Sequence, residues 1–232
     1  MYRAIWAVGA LISCVGVVAC SSDAGSGGVS PTAAPTGSTI ELPAPRTDGH
    51  LSLEEALAAR RSIRDFTPEE LTLEEISQLL WAAQGITASW GGRTAPSAGA
   101  LYPLEVYVAT SDGLSHYLPE GHRAQSISTA DVREALAEAA LGQAAVADAP
   151  AVFVITAVPA RTEAKYGGRA ERYVHMEAGH VAQNVLLQAV ALGLAGVPMG
   201  AFADEEVARV LGLPPGEVPL YLIPLGHSAE DG

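Results

Sequence analysis

The sequence predicts an α+β fold, a mixed, largely antiparallel sheet with helices on both of its faces. Three observations carry that prediction. Strand-like and helix-like patterns alternate from Leu51 onward, with a hairpin pattern inserted around Asp112. Residues 151–158 form an unbroken apolar run bounded by prolines, as a central strand buried on both faces requires. Residues 171–194 form the longest helical pattern, apolar nearly all round, which belongs in a core or a subunit interface. The chain has 232 residues, and 13 basic against 26 acidic side chains give a net charge of −13. That balance excludes a general nucleic-acid or anionic-membrane binder, whose surface needs clustered Lys and Arg.

Before Leu51 the chain has another character. Arg3 precedes an uncharged apolar run, residues 4–19, short for a spanning helix of about 20 residues and suited to a signal peptide. The run ends in Val17-Val18-Ala19-Cys20-Ser21-Ser22, which resembles a bacterial lipoprotein lipobox. That resemblance implies a cleaved signal peptide at 1–19 and lipidation of Cys20. An uncleaved membrane anchor with an incidental cysteine is the alternative. Residues 20–46, rich in Ser, Gly, Pro and Thr, read as a flexible linker, since they offer little apolar surface to offset their ordering entropy. The folded domain is then 47–232, expected outside the cytoplasm and touching the membrane through the lipid alone.

Within the domain, Ser52 with Glu55 reads as a capped start for a helix running through Arg60. Thr72 with Glu75 repeats that signature and opens a second helix, with Ile76, Leu79, Leu80 and Ala83 as its apolar stripe. Gly91, Gly92, Pro96 and Gly99 mark an irregular loop before a strand at 104–109. The turn Ser111-Asp112-Gly113 leads into a short hairpin of 114–118 and 124–127. Residues 131–147 are alanine-rich and helical, followed by the apolar strand and the long helix, which Gly193 and Gly196 end. A strand-like turn at 197–202, a helix at Asp204–Leu211 and a last strand at 219–225 complete the chain.

The chemistry is concentrated in few residues. Both cysteines, Cys14 and Cys20, precede the domain, which therefore has no disulfide, thiolate nucleophile or cysteine metal site. His175 and His180 flank Glu177 but stand five apart, off the shared face of an i, i+4 metal pair. A polar patch at an interface or a substrate mouth is expected there, and no metal. Arg60-Arg61-Ser62-Ile63-Arg64 gathers three guanidiniums and a hydroxyl, a donor set suited to a phosphate monoester. An arginine-rich helix end complementing its own dipole is the structural alternative.

Three motifs in order carry a family resemblance. They are the Arg60–Arg64 run, Pro96-Ser97-Ala98-Gly99-Ala100-Leu101-Tyr102-Pro103 before a strand, and Gly196-Val197-Pro198-Met199-Gly200-Ala201 after a long helix. Together they resemble the FMN-dependent nitroreductase family over residues 51–226. The second motif, with Tyr173-Val174-His175-Met176-Glu177-Ala178-Gly179-His180, is most similar to its SagB-type dehydrogenase and thiazole/oxazole oxidase branch. The resemblance implies a homodimer with two FMN sites at the subunit interface and hydride transfer through flavin N5, in ping-pong fashion. Arg60, Arg61 and Ser62 would hold the FMN phosphate and ribityl chain, and Arg64 would face the pyrimidine edge. Pro96, Ser97, Ala98, Gly99, Ala100 and Leu101 would wrap the ring from the second subunit. Pro198, Met199, Gly200 and Ala201 would bring backbone N–H groups to N5 and O4. NAD(P)H would dock on the flavin, since the chain has no G-x-G-x-x-G fold of its own.

One departure concerns the phosphate. Many relatives end with a Lys/Arg pair, whereas Leu225-Gly226-His227 runs here into Ser228-Ala229-Glu230-Asp231-Gly232. In azoline-oxidising relatives an adjacent Lys-Tyr pair removes a proton, and Lys165-Tyr166 matches it, Lys165 being the chain's single lysine. A surface lysine before a Gly-Gly loop is the bland alternative. Two other functions compete with a general FMN oxidoreductase. One is a non-catalytic lipoprotein holding flavin or another ligand on a degenerate scaffold, and the other is a peptide azoline oxidase.

Overall fold

The computed structural model describes residues 37–229. The signal-peptide and lipobox assignments, Cys20 included, lie outside the described residues. The described residues open with β1 (Thr39–Glu41), and two capping boxes then start the first helices. At α1 (Leu53–Ala59) the Ser52 side chain accepts from the Glu55 amide while the Glu55 carboxylate accepts from the Ser52 amide. Thr72 and Glu75 do the same at α2 (Leu73–Gln84). The chain continues through β2 (Leu104–Thr110), β3 (Gly113–Leu118), β4 (Arg123–Ser128), α3 (Arg133–Ala139) and α4 (Ala144–Asp148). Next come β5 (Ala151–Ala157), α5 (Ala160–Tyr166) and the long α6 (Ala170–Ala191). It closes with β6 (Ala195–Gly196), α7 (Asp204–Leu211) and β7 (Val218–Gly226).

The strands form one sheet in the order β1-β4-β3-β2-β5-β7-β6, and every neighbouring pair is antiparallel. Among the described residues the one parallel contact is an isolated bridge between Ser62 and Gly196. The apolar run falls where its composition put it, at the centre, with all of β5 buried. Its side chains alternate between two cores. Phe153 and Ile155 join α2 and α6, whereas Val152 and Val154 join α3, α4 and α7. Truncating Phe153, fully buried, would cost about 3–5 kcal/mol.

The structure corrects several boundaries. The helix expected at 131–147 is two, because Leu141 (φ 62°) and Gly142 (φ 72°) turn left-handed and the Gly142 amide caps back to Ala137 O at 2.9 Å. Residues 197–202 hold no continuous strand, only a bridge from Met199 to Leu222 beyond β6. α5 lies in a stretch where the sequence pattern gave no element. The last part of the segment read as a linker is clipped to the domain. β1 pairs with β4, Ser77 Oγ donates to Pro43 O at 2.6 Å, and the Gln78 amide bonds both backbone groups of Arg46 at 2.8 and 3.0 Å.

Candidate functional site

The arginine run leaves α1 rather than extending it. Arg60 is the C-cap, with φ −55° and ψ 123°, so Arg60 and Arg64 do not share a helix face. Arg61 Nη1 donates to Ala58 O at 2.9 Å and to Arg60 O at 2.8 Å, satisfying carbonyls that the helix end leaves open. Ser62 bridges to Gly196, and the Ile63 amide donates to Gly196 O at 3.2 Å. The first and third sequence motifs are therefore neighbours. They border a cavity of about 380 Å³ that Arg61, Ile63, Val190, Gly193, Gly196 and Ser228 line. The C-terminal segment is zipped beside the same run, the Thr67 amide donating to His227 O and the Ala229 amide to Asp65 O, both at 2.9 Å.

The third motif is only partly available. Pro198 has no N–H, and the Met199 amide donates to Leu222 O at 2.8 Å, with its side chain buried. Met199 therefore belongs to the core, contrary to the expectation that its amide faces a flavin. The amides of Gly200 and Ala201, on the exposed side of the turn, carry what remains of that expectation.

The second motif lies elsewhere, at the N-terminal half of α6. The Ser97 side chain accepts from the Tyr102 amide at 2.9 Å, folding residues 97–102 into a tight turn. Gly99 (φ 64°), Ala100 (φ 54°) and Tyr102 (φ 45°) are all left-handed. Such conformations cost about 1–3 kcal/mol at a non-glycine residue and mark segments held in place for a purpose. The turn packs directly on the end of α5. A Cβ built at Gly99 would lie 2.8 Å from Lys165 Nζ and 2.9 Å from Tyr166 Oη. The structure thus joins the second motif to the Lys-Tyr pair. The Lys165 amine stands 5.4 Å from the Tyr166 ring centroid, and Tyr166 packs edge-on against Tyr173 at 5.0 Å.

Beneath this turn is a polar cluster that the sequence reading did not bring together. Arg93 packs 4.4 Å from the Tyr102 ring, its amide donates to Tyr102 Oη at 3.2 Å, and its guanidinium donates to Gln84 Oε1 at 3.2 Å. Glu177 faces the same cluster, 2% exposed. Burial holds its carboxyl above the usual range, and Ser97, Gln84 and Arg93 lower it by less. Glu177 Oε1, Gln84 Nε2 and Arg93 Nε have no hydrogen-bond partner among the described residues. Glu177 also lines a cavity of about 230 Å³ with Pro96, Ala98, Tyr173, Met176 and His180. His175 and His180, by contrast, are exposed on α6, so the histidine-glutamate patch divides between surface and interior. The members of the polar cluster lie up to 93 positions apart, from Gln84 to Glu177; Ser97, Tyr102 and Glu177 fall within motifs, whereas Gln84 and Arg93 gave no local signal.

The two clusters sit toward opposite ends of α6. Glu177 marks one and Val190 the other, about 20 Å apart at the α-helical rise.

Comparisons with known proteins agree on the class. Residues 57–227 match the model of the nitroreductase family. The chain is 46% identical over 200 residues to "Putative nitroreductase MJ1384" of Methanocaldococcus jannaschii, covering 84% of this chain and 100% of that one. A solved structure described as a "putative nitroreductase" of Ralstonia eutropha superimposes with a TM-score of 0.75 at 32% identity, covering 83% of this chain and 90% of that one. The NADPH:FMN oxidoreductase of Vibrio harveyi, solved in complex with NAD+, gives a TM-score of 0.59 at 25% identity, covering 77% and 69%.

Proposed function

The chain belongs to the nitroreductase family, and on that premise we propose that it is an FMN-dependent oxidoreductase working as a homodimer. The observation that carries the proposal is the pairing of motifs at the two ends of α6. The arginine run meets the Gly196 turn at one end, and the Gly99 turn meets Lys165 and Tyr166 at the other. With about 20 Å between them on one helix, the halves complement each other best across two copies, the phosphate grip of one subunit facing the ring loop of its partner. The exposed face of α6, with Met176 and Gly179, suits that contact.

The residues fit FMN by their donor chemistry. Arg60, Ser62 and Arg64 supply charged and hydroxyl donors for a phosphate dianion, and Arg61 does so with the nitrogens not spent on α1. Gly99 and the exposed Gly200 permit backbone to approach a planar ring. FMN, when bound, supplies hydride acceptance and donation at N5. This chain's own contribution is to hold the ring between residues 96–101 and 198–201, to exclude water there, and to present Lys165 Nζ and Tyr166 Oη to a substrate proton. A nicotinamide donor would reach the ring from solvent, in keeping with the relative that was solved with NAD+.

A second reading is favoured by one observation, the seat of Lys165 and Tyr166 against Gly99. It makes the substrate an azoline-bearing peptide that would lose one carbon-bound hydrogen as a proton to Lys165 and a second as a hydride to the bound flavin, leaving the azole, as the resemblance to the SagB-type branch implies. The proposal also keeps a lipid anchor at Cys20 and a location outside the cytoplasm. Among the described residues no helix is long and apolar enough to cross a membrane.

Titrating the full chain with FMN tests the cofactor assignment. Arg60→Ala should weaken binding by about 1.5–3 kcal/mol, the size of a lost charge-assisted hydrogen bond. Arg209→Ala, whose side chain is 71% exposed and pairs with Glu206, should leave it unchanged. Equal losses would make the arginine run structural.

A further inference from the structure

We propose that Arg161 is a positioning residue that holds α5 in register with the 96–102 turn and so fixes where Lys165 points. The proposal rests on the reading of Lys165 as a group facing the flavin. α5 has seven residues, no side-chain cap at its N-terminus, and only Thr162 buried. A helix that short is not stable by itself, and one buried residue fixes its rotation poorly. Tyr166 on Tyr173 ties its last residue to α6, and its first turn needs an anchor of its own. Arg161 stands four residues before Lys165, on the same face. Its Nη1 donates to Tyr102 O at 3.0 Å, and its Nη2 pairs with the Glu105 carboxylate.

The partner carboxylate is itself held. Glu105 Oε2 takes His116 Nε2 at 2.8 Å, and His116 stacks on Tyr107 at 4.6 Å between ring centroids. Burial raises the Glu105 carboxyl, but His116 and Arg161 outweigh that and hold it below the usual range, so the ion pair persists near neutral pH. One face of α5 therefore grips both ends of the strained segment. Lys165 and Tyr166 cover Gly99, and Arg161 bonds the carbonyl of Tyr102, itself left-handed at φ 45°. Releasing Arg161 would free the helix to roll and carry the amine off the turn. The planar guanidinium serves two acceptors in fixed geometry, which a lysine at this position would not.

Because Lys165 is the single lysine of the natural chain, its labelling by an amine-reactive reagent reads its surroundings directly, peptide mapping separating it from the N-terminal amine and fragment-ion sequencing separating it from the lysine that Arg161→Lys adds. The full chain is labelled with and without FMN, as wild type, Arg161→Gln and Arg161→Lys. The expected result is that FMN protects Lys165 in wild type, less in Arg161→Lys, and not in Arg161→Gln. FMN affinity should fall by less than turnover does, since Arg161 bonds Tyr102 and Glu105 and none of the arginines assigned to the phosphate. Turnover of Arg161→Gln should fall about 10- to 100-fold at nearly constant KM, as misplacement of a reacting group implies. Full protection in Arg161→Gln overturns the proposal and leaves the flavin reading standing. No protection in wild type overturns the Lys165 reading and this proposal with it. Loss of the melting transition in both variants makes Arg161 structural, which also refutes it.

Discussion

Replacing Gly99 by alanine separates what the 96–102 turn does for folding from what it does for chemistry. The residue has φ 64° and ψ 17°. An L-side chain in the left-handed region costs about 1–2 kcal/mol, and the reduced freedom of the unfolded chain returns about 0.4–1 kcal/mol. The net loss is about 1 kcal/mol, or about 2–4 °C in Tm for a domain of this size. The three atoms nearest the new methyl beyond its chain neighbours belong to side chains, Lys165 Nζ at 2.8 Å, Tyr166 Oη at 2.9 Å and Lys165 Cδ at 3.4 Å. Those are the groups that must give way, so a small change in stability should accompany a large one in turnover, about 10- to 100-fold. Gly196→Ala is the useful contrast. Its Cβ would lie 2.6 Å from Leu225 Cδ2 and 3.0 Å from Pro224 O inside the core, a clash worth about 1–3 kcal/mol or more. Thermal melting and steady-state turnover of the FMN-loaded variants read both quantities. Gly99→Ala with lowered Tm and unchanged turnover would refute the placement of Lys165 and Tyr166 in the site.

Ala100→Gly should relieve the strain at φ 54° and raise Tm by about 1–3 °C, the gain being tempered by glycine's greater unfolded entropy. Glu177→Gln keeps the side chain's shape and removes its ionisation. Burial raises that carboxyl, so its contribution is fully present below the unfolded pKa and is lost as pH rises through the folded one. The variant's melting curve should therefore be flatter across the carboxylate range, and at neutral pH more stable by about 1 kcal/mol, the scale of an unpaired buried group; a neutral-pH Tm below wild type's would contradict this. Cys20→Ser should release the protein from the membrane fraction or leave the precursor uncleaved, which fractionation and the mass of the product report.

What was legible in the sequence was whatever rests on local pattern. Both capping boxes gave their helices to within a residue at Leu53 and Leu73, because each signature is written in four consecutive residues. The unbroken apolar run gave β5, since burial on both faces leaves no polar alternation to find. The missing parts depend on partners far along the chain. β1 exists because β4 receives it, and the segment after it is held by the Gln78 amide at Arg46; neither partner is visible from Thr39 to Arg46 alone. α5 is pinned by Tyr102 and Glu105, more than fifty positions earlier. For the site, the motifs were legible as segments, but which residues they meet in space and how their polar groups are spent were not. Arg61 turned inward onto α1, and Met199 gave its amide to the sheet.

The most direct test of the account is anaerobic reduction of the FMN-loaded full chain by NADH or NADPH, followed in the visible spectrum, with a nitroaromatic or quinone acceptor then added. Stoichiometric FMN is expected, with loss of the yellow flavin absorbance on adding the donor and its return on adding the acceptor. A colourless chain that neither retains FMN nor quenches its fluorescence would contradict it and favour the degenerate ligand-binding scaffold.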